Sequence, residues 1–253
     1  MLLVAGAGIT SGGLAACGGG SVNGRATKVD PTAPVAIECP GEEVPAGMER
    51  LAVEGDDGTP IGTATVGSGA TAVVLVHGSG QDLCDWLWFV PRLVDMGVTV
   101  VPYDLRWRGA SSGAKGTVEP LPGDLAAVVD AARQRGAERV VLVGTSLGAA
   151  TALVAAGRID PPVDAVVAVS PPRRLGEMAV AVAAASYGGP VRLVVARGDD
   201  GYPASARDLA AALPGATTPT VLEGSEHGLG LVQARPDEVA SAIGQSVQDA
   251  GGP

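Results

Sequence analysis

The sequence predicts an α/β architecture, a mostly parallel central sheet with helices on both faces. Two observations carry that prediction. Apolar runs of four to six residues, rich in valine, alternate along the chain with longer segments of helical character. These runs lack the apolar–polar alternation of a half-exposed strand, so they read as strands buried on both faces. Apolar residues make up 46% of the chain and aromatics 3%, so the core must be assembled from Val, Leu and Ala. At 253 residues the chain holds one such domain and a short extension.

The regular pattern starts at Met48. Residues 49–54 and 61–66 read as antiparallel strands around the turn Gly55-Asp56-Asp57-Gly58. Residues 72–76 form a fully apolar strand ending at His77-Gly78, followed by a helix over 86–96 and a strand over 98–103. A helix over 124–135 leads to a strand at 140–143 and a small-residue helix at 147–157. The alternation continues with a strand at 165–169, a helix at 175–185, a strand at 191–196 and a helix at 203–213. A strand at 217–222 precedes the closing helix at 236–247. Residues 18–47 are rich in Gly, Pro and Thr and have no period. The chain thus divides into an apolar leader over 1–16, a tether and irregular lead-in over 17–47, and the domain over 48–253.

The leader ends in Leu14-Ala15-Ala16-Cys17 and a run of glycines, and it resembles a bacterial lipoprotein signal peptide. Such a peptide is cut before a cysteine that then carries the lipid. The apolar stretch is too short to span a bilayer, and no Lys or Arg precedes it. The resemblance implies an extracytoplasmic domain of the cell envelope, tied to the bacterial membrane through Cys17 alone. That leaves Cys39 and Cys84, an even pair in an oxidising compartment, and a disulfide between them is expected; the alternative is two buried thiols.

The formal net charge is −10, and no Lys/Arg cluster occurs anywhere. This argues against nucleic acid and against an anionic membrane surface as partners. The two histidines, His77 and His227, are too few for an ordinary histidine-built metal site, and neither metal nor cofactor is expected.

The segment Arg139-Val-Val-Leu-Val-Gly144-Thr145-Ser146-Leu147-Gly148 carries the chemistry. A buried strand runs into a glycine-bracketed serine, and a small-residue helix follows. That is the context of a nucleophile elbow, a strained turn that exposes a serine hydroxyl. The flanking glycines suit a place where strand and helix pass too close for side chains. A second match to the same pattern, Gly109-Ala110-Ser111-Ser112-Gly113, has neither a strand immediately before it nor an apolar helix after it. Ser111 therefore reads as structural.

Three further features make the chain from Met48 onward resemble the α/β-hydrolase fold family. The strand ending in His77-Gly78-Ser79-Gly80 is similar to the loop that donates one oxyanion N–H in that family. Tyr103-Asp104-Leu105-Arg106-Trp107-Arg108-Gly109 is similar to its Asp-x-Arg-Gly loop, with Trp107-Arg108 displacing the usual spacing. The order Ser, Asp, His is the family's own.

The resemblance implies Ser146 as nucleophile and His227, in Gly224-Ser225-Glu226-His227-Gly228, as base. It implies Asp199 as the acid, with Asp200 as the alternative acid or otherwise as the cap of the following helix. The oxyanion hole is expected from the backbone N–H groups of Leu147 and Ser79. His77 reads as a prop for the oxyanion loop. Trp86, Trp88, Phe89, Tyr103 and Trp107 divide between acyl-pocket wall and ordinary core. Many family members insert a large lid before the seventh strand, whereas residues 171–189 here leave room for a single helix, hence an open site.

These readings together predict a serine hydrolase acting on small-molecule acyl substrates, first of all carboxylic esters. Amidase, peptidase and thioesterase activities share the same residues. The reading from a different class is a non-catalytic envelope binding protein on a hydrolase scaffold.

Overall fold

The computed structural model describes residues 29–113 and 115–253. Its strands, in chain order, are β1 (Glu49–Leu51), β2 (Thr63–Thr65), β3 (Thr71–Val76), β4 (Thr99–Tyr103), β5 (Arg139–Thr145) and β6 (Ala165–Val169). After them come β7 (Arg174–Leu175), β8 (Met178–Ala179), β9 (Val191–Ala196) and β10 (Thr220–Leu222). The helices are α1 (Val35–Glu38), α2 (Val90–Val94), α3 (Leu121–Gln134), α4 (Leu147–Ala156), α5 (Val180–Ala183), α6 (Tyr202–Ala212), α7 (Leu229–Ala234) and α8 (Pro236–Asp249).

Eight strands form one sheet in the order β1-β2-β4-β3-β5-β6-β9-β10. The pairs β1/β2 and β2/β4 are antiparallel, and every later pair is parallel. The predicted class is therefore the observed one. All six residues of β3 are buried, which accounts for its lack of alternation. Ala72, Val74 and Val76 pack with Leu125 and Val128 of α3 and Leu153 of α4. Val73 and Leu75 point the other way, into a second cluster with Leu93 of α2 and Val239 and Ile243 of α8. Side chains alternate across a strand, so two covering layers need apolar residues at every position.

Several segments differ from the sequence expectation. The helix expected at 86–96 is two pieces, a 3-10 turn at Leu83–Trp86 and then α2. Pro91 has no N–H to continue a helix, so it sits in the first turn of α2, where none is needed. The 3-10 turn starts at Asp82, which accepts from the Cys84 N–H at 3.0 Å, while Asp85 accepts from the Asp82 N–H at 2.9 Å. Residues 171–189 do not form the single helix expected. They make the β7–β8 hairpin, turning at Gly176 with φ of 55°, and the one turn of α5. Helix α7 was not anticipated at all.

The lead-in, expected to be irregular, contains the helical turn α1. Val35 and Cys39 are buried there against Ala64, Leu83 and Leu87. Cys39 and Cys84 form the expected disulfide. Beside it, Glu38 pairs with Arg50 at 2.5 Å and accepts from the Ala110 N–H at 2.8 Å. Asp104 accepts from the same Ala110 N–H at 2.9 Å and from Leu83 N–H at 2.8 Å. Burial, and then the neighbouring Glu38 carboxyl, hold the Asp104 pKa well above the usual carboxylate range. The leader and Cys17 lie outside the described residues. No described helix is long and apolar enough to cross a membrane.

Candidate active site

Strand β5 ends at Thr145, α4 begins at Leu147, and Ser146 alone makes the turn between them. Its φ of 50° and ψ of −115° lie where a side chain is strained, and its N–H is fixed to the Val169 carbonyl at 2.9 Å. The bracketing glycines are sterically required. A Cβ at Gly144 would strike the Gly148 backbone, and one at Gly148 would strike the Val76 and His77 carbonyl oxygens.

Three sequence-predicted residues meet at this turn. His227 Nε2 lies 2.8 Å from Ser146 Oγ. His227 Nδ1 lies 2.9 and 3.1 Å from the two carboxylate oxygens of Asp199. The carboxylate identifies Nδ1 as the protonated nitrogen, which leaves Nε2 as an acceptor facing the serine. Asp199 is buried, while the imidazole keeps 38% of its side chain exposed. The arrangement can take a proton from the Ser146 hydroxyl and stabilise the imidazolium that results.

Asp200 is exposed and forms no hydrogen bond or ion pair with the imidazole, which pairs with Asp199 instead. It does not cap the next helix either, because the cap of α6 is Gly201, at φ of 78° and with no side-chain cap bond. The left-handed backbone at that point suits a glycine and leaves Asp200 one residue too early.

Leu147 is the first residue of α4, so its N–H has no carbonyl one turn earlier within the helix. Ser79 is exposed and follows Gly78, whose Cα position faces Ser146 so closely that an added Cβ would touch the serine Cβ. His77 is fully buried and props this loop. It accepts from Leu105 N–H through Nε2 at 2.9 Å and donates from Nδ1 to the Gly78 carbonyl at 2.8 Å. Burial lowers its pKa to about 4, so it remains neutral. Ser111 is structural, as expected: its hydroxyl donates to the Asp104 carbonyl at 2.6 Å and accepts from Gly62 N–H at 2.8 Å.

Of the two alternatives for the aromatic cluster, ordinary core packing holds for Trp86, Phe89 and Tyr103, which are fully buried. Trp88 is largely exposed, and Trp107 packs, partly buried, at the margin of the core. Trp107 has φ of 59°. It is held there by the preceding Arg106, which donates to Asp124 at 2.5 and 2.6 Å and to Asp57 at 2.6 and 3.0 Å.

Three neighbours of the site escaped sequence reasoning. Gln81 Oε1 accepts from Gly78 N–H at 2.8 Å and ties the loop into a turn. The Tyr202 ring lies 4.1 Å from the His227 ring, centroid to centroid. Ser170, directly after β6, donates to Asp199 Oδ2 at 2.7 Å and accepts from Gly228 N–H at 3.0 Å. The only sequence signal for Ser170 was its place at the end of a strand next to the elbow strand. Tyr202 was hidden in the Gly-Tyr-Pro start of α6.

A groove of about 320 Å³ opens beside Tyr202, between Pro172, Arg173 and Arg174 on one side and Asp200 and Gly201 on the other. Cavities of about 420 and 630 Å³ lie elsewhere, at Gly67–Ala70 and along α8, and none of the site residues lines them. Among the described residues no group of three or more His, Cys, Asp or Glu converges as metal ligands.

Comparison with known proteins supports a hydrolase of α/β fold. The family model described as serine aminopeptidase, S33, matches residues 68–197, just over half of the chain. An esterase of Pyrococcus furiosus superposes with a TM-score of 0.69 at 18% identity, covering 83% of this chain and 98% of that one. The enol-lactonase of Burkholderia xenovorans gives 0.65 at 18% identity, over 76% of this chain and 98% of the lactonase. Among curated proteins, the dihydrolipoyllysine-residue acetyltransferase component of the acetoin cleaving system of Cupriavidus necator is 37% identical over 98 residues. Those residues are 38% of this chain, and they span only a quarter of that relative's length. With that family match laid over a strand–serine–helix turn in an eight-stranded sheet, the chain belongs to the serine aminopeptidase, S33, family of α/β-hydrolases.

Proposed function

We propose that this hydrolase cleaves carboxylic esters through Ser146, His227 and Asp199. The observation that carries the reading is the imidazole of His227, which joins a strained serine hydroxyl on one side to a buried carboxylate on the other. Ser146 Oγ attacks the substrate carbonyl carbon as its proton passes to His227 Nε2. The carbonyl oxygen becomes an oxyanion that accepts from Leu147 and Ser79 N–H, each donor contributing about 3 kcal/mol to the transition state. The imidazolium then protonates the departing alcohol, leaving an acyl-serine. Water, losing a proton to the same imidazole, releases the acid. Asp199 keeps the Nδ1–H tautomer in place and takes no proton.

Reaction with a fluorophosphonate probe, beside a Ser146→Ala control, tests this directly. Labelling of the wild type alone is expected. A folded wild-type protein that fails to label is a binding protein on a hydrolase scaffold. A panel of acyl esters, thioesters and aminoacyl anilides then orders the substrates, with esters expected to turn over fastest. Dominant anilide turnover would make the enzyme a peptidase, as its family's description reads.

We further propose that the enzyme works outside the cytoplasm on a lipid anchor at Cys17. The lipobox-like sequence supports this, as does the Cys39–Cys84 disulfide, a bond at home in oxidising compartments. Membrane fractionation of the wild type and of Cys17→Ala tests the anchor. Equal distribution of the two proteins would overturn it.

A further inference from the structure

Ser170 is fully buried, yet its backbone has φ of 49°, a region where glycine is at ease and other residues are strained. Among the described residues only Trp107 and Ser146 are further non-glycine residues with positive φ. Backbone geometry alone would therefore select glycine at position 170, and a serine there must use its side chain.

That side chain spans two loops. Its O–H donates to Asp199 Oδ2 at 2.7 Å, and its oxygen accepts at 3.0 Å from the N–H of Gly228, the residue after His227. Among the described residues the Asp199 carboxylate has no other hydrogen-bond donor besides the imidazole, and no Lys or Arg pairs with it. At 5% exposure, water cannot readily take the place of that donor.

We propose that Ser170 is a positioning residue of the catalytic site, holding the Asp199 carboxylate and the His227 loop in register from the end of β6. The proposal rests on the reading of Ser146, His227 and Asp199 as the catalytic set. The side-chain hydrogen bonds of Ser170 go to Asp199 and to the Gly228 backbone, so it acts through them.

The test measures the rate of fluorophosphonate labelling of Ser146, in the full chain, for wild type, the Ser146→Ala, Ser170→Ala, Ser170→Gly and Asp199→Asn variants, and the double variant Ser170→Gly with Asp199→Asn. In this reaction the serine oxygen bonds to phosphorus, fluoride leaves, and the serine proton passes through His227 to solvent. Ser170→Gly removes the hydroxyl while relieving the strained φ, so it separates lost positioning from lost folding. Both Ser170 variants should label roughly 10- to 100-fold more slowly, as expected when a buried charged acceptor loses a donor. In the Asp199→Asn background, Ser170→Gly should slow labelling much less than it does alone, because two residues acting through one carboxylate are not additive. A folded Ser170→Gly protein with the wild-type rate overturns the proposal. Full additivity with Asp199→Asn also overturns it, leaving Ser170 merely structural. A wild type that does not label at all instead overturns the catalytic reading itself.

Discussion

Replacing His77 by glutamine isolates what a buried imidazole does to acid stability. His77 is fully buried, and burial lowers its pKa from an ordinary 6.5 to about 4. In the unfolded chain it takes a proton as pH falls through its ordinary value, whereas in the folded protein it does so only near 4. Its contribution to stability is thus complete above the unfolded value and is lost as pH falls through the folded one. Those two values put the loss between pH 7 and pH 5 at about 2 kcal/mol, out of about 3 kcal/mol in all. Asp104 acts in the opposite sense: its raised pKa makes the fold more stable as pH falls. Asp104 is common to wild type and variant, so the difference between them isolates His77. Glutamine can accept from Leu105 N–H and donate to the Gly78 carbonyl without titrating. Urea unfolding of both proteins at pH 7 and pH 5 is the assay. Wild type should lose about 2 kcal/mol more than His77→Gln over that interval. Equal losses would refute the reasoning, since His77 would then not be held neutral by burial.

Other perturbations reach the remaining parts of the site. Asp199→Asn should lower kcat for ester hydrolysis by roughly 10⁴-fold with little change in KM, while Asp200→Asn, on an exposed side chain, should cost far less; steady-state kinetics decide. Removing the disulfide by Cys39→Ser with Cys84→Ser should lower stability by about 4 kcal/mol in the chain-entropy account, for a sequence separation of 45, read from the urea midpoint. Gly148→Ala should cost about 3 kcal/mol or more in a thermal or urea melt, because its Cβ meets backbone carbonyls that cannot swing aside, and labelling of Ser146 should fall with it.

The parts of the fold that were legible in the sequence share one physical property. Strands β3, β5, β6 and β9 are nearly continuous apolar runs because helices cover both faces, and such runs stand out against the helices between them. The misread segments are short ones, where local propensity is weak and a single residue decides. Gly176 turned an expected helix into a hairpin, and Pro91 broke another. Helix α7 went unseen because Gly228-Leu-Gly-Leu reads as a loop until its leucines are buried against the sheet.

Within the candidate site, the meeting of Ser146, Asp199 and His227 was legible because a serine turn between strand and helix and two late loops, in that chain order, are local patterns. Ser170, Gln81 and Tyr202 were not, since each acts through a contact that no local pattern records. Glu38 is the extreme case: it binds the backbone of Ala110 across a separation of 72 residues.

The Cys39–Cys84 bond also sets a load path. A pull applied on the amino-terminal side of Cys39 reaches that residue ahead of every sheet strand and can cross directly to Cys84 through a covalent link. Everything between those cysteines lies in a loop that this link bypasses: β1, β2, β3 and the His77-Gly78-Ser79 turn. A pull that would otherwise peel β1 from β2, a ladder of only three residue pairs, is carried past it. Under such a pull the His77-Gly78-Ser79 turn beside Ser146 would stay mechanically quiet for as long as the two sulfurs stay joined.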